Sequence, residues 1–347
     1  MFIGRRLGSF LVVILLCAAA ASAQQPNPPM QASSGRISLQ VEVTEKSGQP
    51  VADLQQQDFT LLDNKAPQTI TSFRVVNGRE ASLEAIVVID AVNAPYQSVG
   101  YERVQIDKFL RDEEGNLAYP VALAVVTDKG TQVVGGFSND GKALSALLDK
   151  ADVSLRDVGR SAGYYGAEER LQLSLAALRQ LIASAATRPG RKLIIWISPG
   201  WPLMSGPNTQ LDAKQQQQVF ANIVSLSTQL RRAGVAIDSI DPVGPTGSVN
   251  ADWSYEYYLK GVSKPSQVQL GNLGLPVLAV QSGGVAFNFT NGIADRLHKC
   301  LADAAPYYEI SFDPPAAKKP DEYHHLEIKL AKSGLIARTL QGYYAQP

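Results

Sequence analysis

Cysteine is close to absent from this chain, with two in 347 residues, Cys17 and Cys300. That excludes a scaffold of disulfides, so the fold has to be held by packing. Histidine is almost as scarce. The three present, His298, His324 and His325, all lie in the C-terminal part, and H-E-x-x-H does not occur. A hydrolase built on a nucleophile with a base beside it has little to draw on. No charge of one sign dominates: 32 Lys+Arg balance 32 Asp+Glu, and no basic run appears. This argues against nucleic acid or an anionic membrane surface as the partner. The apolar run at residues 10–17 is short of the ~20 residues that a membrane span needs.

What is there first is an N-terminal address. Arg5 and Arg6 precede the apolar run, and Ala21, Ser22 and Ala23 form an A-x-A-type cleavage site, so residues 1–23 are expected to be a secretory signal peptide. Residues 24–35, rich in Gln, Pro and Ser, are expected to form a flexible mature N-terminus. The expected product is exported, periplasmic or extracellular, with no integral membrane segment after cleavage. Cys300 then remains the sole cysteine, and its amphipathic helical setting favours a buried, inert thiol over a nucleophile.

The remaining length exceeds what one core usually organises. Ile37, Leu39, Val41 and Val43 alternate with other residues, the pattern of a half-buried strand. Strands are expected again at 59–62 and 68–76, and then at 307–312, 325–330 and 335–344. The two ends, 36–80 and 305–347, are therefore expected to supply a small flanking all-β unit. Between them, over 81–304, strand-like runs at 85–90, 121–127, 192–198 and 235–241 alternate with helical stretches at 101–111, 166–186 and 212–233. Strands alternating with helices imply an α/β fold with a doubly wound, mostly parallel sheet. Residues 126–134, VTDKGTQVV, read as a hairpin, so one edge strand should be antiparallel. A further helix and strand at 273–289 and a helix at 291–304 close the unit.

The stretch AIVVIDAVNAPY, residues 85–96, carries the most functional information. Four apolar positions run into Asp90, which then ends a strand buried on both faces, where open α/β sheets place their ligand sites. With it belong VTEKSGQPVADLQQQDFTLLDNKAPQTITSF before the sheet, RKLIIWISPGWP at the fourth strand, and PYYEISF with GYY near the end. On these segments the chain resembles the von Willebrand factor A fold, and more narrowly an acidobacterial VWFA-related family of exported proteins. That resemblance implies a metal-ion-dependent adhesion site: Asp-x-Ser-x-Ser after the first strand, a Thr ahead of the third helix and an Asp after the fourth strand. Mg²⁺ wants such oxygen ligands in near-octahedral geometry. Of that set Asp90 is present. Val92 and Ala94 stand where the two hydroxyls belong, Ser198 and Pro199 where the second Asp belongs, and residues 161–169 contain no Thr. A degenerate site without a cofactor is expected, with Asp90 the one weak candidate ligand for Mg²⁺.

Other motifs weigh less. GFSNDGKA, residues 136–143, is one residue short of a phosphate-binding P-loop and follows the outer arm of a hairpin; a helix cap by Ser138, Asn139 or Asp140 accounts for it better. Asp90 beside Asp241 is a conceivable acid/base pair, yet Asp241-Pro242 is also an ordinary strand-to-turn exit. The aromatic residues Tyr96, Tyr164, Tyr165, Trp201, Trp253, Tyr255, Tyr257 and Tyr258 fall in loops expected at the C-terminal edge of the sheet. They are the candidate anchors for an unidentified protein partner. The expected function is a non-enzymatic protein-binding module. The alternatives are a metal-dependent adhesin with a non-standard site around Asp90, or a hydrolase of unknown type.

Overall fold

Strict alternation at residues 37–43 becomes β1 (Ile37–Glu45), whose Ile37, Leu39, Val41 and Val43 all turn inward. The computed structural model describes residues 35–77, 82–151, 164–202, 210–242, 254–288 and 292–346, and of residues 164 and 165 the backbone alone. The expected signal peptide lies outside these residues. Among the described residues no helix is long and apolar enough to cross a membrane.

After β1 come β2 (Phe59–Asp63), β3 (Ala66–Gln68) and β4 (Ser72–Val76). The central unit runs β5 (Leu83–Asp90), α1 (Tyr96–Arg111), β6 (Asn116–Thr127), β7 (Gly130–Asp140), α2 (Gly141–Lys150), α3 (Tyr164–Ala186), β8 (Arg191–Ile197), α4 (Ala213–Ala233), β9 (Val235–Ile240), α5 (Leu275–Gln281), β10 (Ala286–Phe287) and α6 (Ile293–Asp303). The chain ends in β11 (Tyr307–Phe312), β12 (Glu322–Leu330), β13 (Leu335–Arg338) and β14 (Gly342–Ala345).

The central sheet has the order β10-β9-β8-β5-β6-β7, parallel throughout except for the antiparallel pairing of β6 with β7. Counted from β5, the chain first winds one way to β7 and then the other way from β8 to β10. The reversal lies between β5 and β8, at the ends of which such sheets open a crevice. Helices cover both faces, which is why the strands read as unbroken apolar runs. Ile86 and Val88 of β5 and Ile194 and Trp196 of β8 pack under α3, α4 and α5. Ala85, Val87 and Ile89, with Leu193, Ile195 and Ile197, pack under α1, α2 and α6. Local signals set the helix ends: Asp140 caps α2 by accepting from the Ala143 amide at 2.9 Å, and Asp212 and Gln215 form a reciprocal box at the start of α4. Gly234, at φ 61°, closes α4 in the left-handed conformation that glycine adopts most easily.

The outer strands form two four-stranded sheets, β13-β1-β11-β4 and β14-β12-β2-β3, and each draws strands from both ends of the chain. They enclose a separate core of Leu39, Val41, Phe59, Leu61, Tyr308, Ile310, Phe312, Leu326 and Tyr343. Two expected strands are divided here. Residues 68–76 split between β3 and β4, and 335–344 between β13 and β14, because the chain crosses from one sheet to the other in each case.

This sandwich makes an ionic contact with the central sheet at the edge where its strands begin, and Tyr344 of β14 packs on Phe220 of α4. Glu42 of β1, 5% exposed, accepts from Arg191, the first residue of β8, and from Arg338 of β13 at 2.6 Å. Arg191 also donates to the Ala304 carbonyl at 2.8 Å and lies over the Tyr307 ring at 5.0 Å. Asp238 of β9 sits beside this group. Burial, and then the Glu42 charge, push its carboxyl up to about 6. The Cys300 thiol bonds to Asp238, and burial raises it well above the usual thiol range, which keeps it in the unreactive protonated form.

Candidate functional site at the strand ends

Asp90 ends β5 at the switch point and is fully buried. Its Oδ1 accepts the backbone N–H groups of Val92 at 3.1 Å and Asn93 at 3.0 Å, a turn closed by the aspartate on its own following residues. Its Oδ2 accepts Asn93 Nδ2 at 2.8 Å and Trp196 Nε1 at 3.0 Å. A carboxylate offers about four lone-pair sites, and four N–H donors occupy them. The Ser198 hydroxyl adds a further hydrogen bond. Burial raises the Asp90 carboxyl above the usual aspartate range, and these donors partly offset the rise.

The second layer holds the donors in place. Asn93 Nδ2 also donates to Ser174 Oγ of α3 at 2.9 Å, and Ser174 donates to the Arg170 carbonyl at 2.8 Å. Trp196 meets Trp201 edge to face at 5.2 Å. Val92 and Ala94 are each 4% exposed, Val92 in the core layer under α3 and Ala94 in the layer under α1. Ser198 is buried, donates its N–H to the Ile240 carbonyl at 3.0 Å and accepts from the Gly200 amide at 3.2 Å. Pro199 is buried and brings no side-chain oxygen.

The described aromatic candidates are not all brought together. Trp201 is 0% exposed and packs in the core against Trp196, so its ring is structural and not presented to a partner. Tyr96, at the start of α1, is 71% exposed. Tyr255, Tyr257 and Tyr258 form a single turn that lies against α5. The segment that follows them is tied toward the sandwich: Gln281 Nε2 donates to the Leu259 carbonyl at 3.2 Å, and Gly261 lies against the Tyr323 ring. Tyr258 packs on Gly271, while Tyr257 is 86% exposed. The described part of the long connection after β9, residues 254–274, lies beside α4 and α5, which its sequence does not announce. Trp253 lies outside the described residues, as do the side chains of Tyr164 and Tyr165.

Two residues of this site were not singled out from sequence: Trp196, a donor to Asp90, and Glu102 of α1, which is 0% exposed. Only Glu102 carried a sequence signal, a carboxylate on the apolar face of a helix. Among the described residues no group of three or more His, Cys, Asp or Glu side chains is placed to hold a metal ion.

No protein-family model matches the sequence, and a comparison with curated proteins finds no match. Similar solved structures include the human COPII-coat protein Sec24c, at 9% identity and a TM-score of 0.38, covering 79% of this chain and 44% of that one. Proximal thread matrix protein 1 from the mussel byssus is similar at 12% identity and a TM-score of 0.39, covering 70% and 51%. The SpRpn10 VWA domain is similar at 16% identity and a TM-score of 0.23, covering 55% and 92%. The chain thus spans about half the length of the larger structures it matches. Its own strand order, with one antiparallel edge and helices on both faces, is compatible with a von Willebrand factor A-like fold.

Proposed function

We propose that the chain is an exported, non-enzymatic protein-interaction module of the von Willebrand factor A-like type, in which the metal-ion-dependent adhesion site is degenerate. One observation carries the reading: the Asp90 carboxylate, the ligand such a site would be built on, is filled by N–H groups of Val92, Asn93 and Trp196. A cation at that position would meet positively polarised hydrogens, and it would find buried apolar groups at Val92 and Ala94 in place of hydroxyl oxygens. This donor set does not fit Mg²⁺, which demands near-octahedral oxygen coordination. The absence of an enzyme reading rests on the donors around Asp90 as well: a carboxylate with all its acceptor sites filled has no free lone pair with which to take a proton from a substrate.

Calorimetry with Mn²⁺ and Mg²⁺ tests this. The chain should show no site-specific binding in the micromolar range, whereas V92S/A94S/P199D, which supplies the missing oxygens, is the variant in which binding could appear. Micromolar binding by the unaltered chain, abolished by D90A, would overturn the degenerate reading in favour of a non-standard adhesin site.

A further inference from the structure

Helix α1 turns Val99, Ile106, Phe109 and Leu110 toward the sheet, and Glu102 lies in the same stripe. Glu102 is 0% exposed, and among the described residues neither of its carboxyl oxygens has a hydrogen-bond partner. Buried unpaired groups of this kind are rare, because removing an ionised carboxylate from water without compensation costs several kcal/mol or more.

Among the described residues the surroundings offer no compensation. Helix α1 packs on β5, β6, α2 and α6. From β5 the charged group acting on Glu102 is Asp90, and from the end of β9 it is Asp241, both carboxylates. Strand β6 contributes Val121, Leu123 and Val125 to this layer. Helix α6 contributes Ile293, Ala294 and Leu297, while its Arg296 lies over the Phe287 ring, its His298 bonds Asp112 and its Lys299 bonds Asp303. From α2 come Leu144 and Leu148, and the Ser145 hydroxyl bonds Asp107. On α1 itself Arg103 donates to the Leu148 carbonyl and Arg111 pairs with Asp107.

We infer that Glu102 is a proton-holding latch beneath α1: its side chain remains in the apolar layer only as the neutral acid, and loss of the proton frees α1 and the 91–95 turn. As regulation of the strand-end surface this rests on the interaction reading above, whereas the protonation itself does not. Burial, followed by the Asp90 and Asp241 charges, holds the carboxyl well above its usual value of 4.5. An acid raised in the folded state contributes stability that is complete below the unfolded value and is lost as pH rises through the folded one. The latch therefore holds in acid and releases toward alkali.

The test uses the full chain and E102Q, with no partner present. The infrared difference between the two at neutral pH should contain a protonated-carboxyl band belonging to Glu102. Hydrogen-exchange protection of residues 96–111, corrected for intrinsic base catalysis, should fall about tenfold per pH unit above the Glu102 titration, and stay level in E102Q. Protection of β1 should follow the same course in both proteins. Should E102Q fold poorly, E102M serves in its place, and it should exceed the parent in stability most at alkaline pH. An ionised Glu102 at neutral pH, or the same pH course for α1 with and without it, would overturn the latch and leave the interaction reading untouched.

Discussion

Glu42→Gln is the most searching perturbation of the contact between the sandwich and the central sheet. The amide preserves shape but removes the one negative charge shared by Arg191 and Arg338, and its NH₂ turns toward a guanidinium. Breaking a buried ion pair by removing one partner costs about 3–5 kcal/mol, since the other charge is left uncompensated. Two features favour the low end. Arg191 keeps the Ala304 carbonyl and the Tyr307 ring. Arg338, whose side chain is 26% exposed, keeps Asp303 at 3.6 Å. The expected loss is thus about 3 kcal/mol. Urea melts should register it identically by tryptophan fluorescence, which reports Trp196 and Trp201 under the sheet, and by exchange protection of β1 in the sandwich. The same substitution removes a charge that raises Asp238, so the Asp238 titration should move down from about 6. A loss below about 1 kcal/mol, the range of exposed pairs, would refute the reasoning and mean that water reaches the network.

Two further outcomes follow from burial. Asp238 has a folded value of about 6 against an unfolded 3.8, so its contribution is present below 3.8 and lost as pH rises through 6. Relative to D238N, the parent should gain up to about 3 kcal/mol of stability on acidification from neutral pH, read from melts across that window; parallel curves for the two proteins would contradict it. Trp201→Ala should destabilise by about 3–5 kcal/mol, as for other buried aromatic truncations, whereas Tyr257→Ala, at an 86% exposed position, should stay within about 0.5 kcal/mol in the same urea melts.

Periodicity made much of the fold legible. Alternation at Ile37 to Val43, the unbroken run ending at Asp90, the hairpin after Val126 and the cap at Asp140 each describe a local choice that the tertiary structure agrees with. Pairing between distant strands left no such mark. Nothing local to Ser72–Val76 says that it lies beside β11 and not beside β3, because that choice is decided by which faces a remote segment has left to cover. At the site, the replacement of hydroxyls by Val92 and Ala94 was visible in the sequence. What fills the vacated role was not: Trp196 reads as one more apolar residue of a buried strand until the indole N–H is found 3.0 Å from Asp90. The packing of the Tyr255 to Tyr258 turn against α5 was not legible either, because aromatic content carries no address.

The interleaving of the outer strands also determines how the molecule carries mechanical load. Tension applied between residues 36 and 346 enters through β1 and leaves through β14. On the way it crosses the backbone pairing of β1 with β13, four residue pairs from Glu42 to Glu45, and the short link from β13 to β14. The central sheet is joined to that path only sideways, by the Glu42–Arg191 ion pair and side-chain packing, and lies outside its backbone pairing, since β4 and β11, the strands by which the chain enters and leaves it, are hydrogen-bonded to each other from Ser72 to Val76. The sandwich is therefore a clamp in parallel with the strand-end site. It must yield before any pull on the chain ends reaches Asp90.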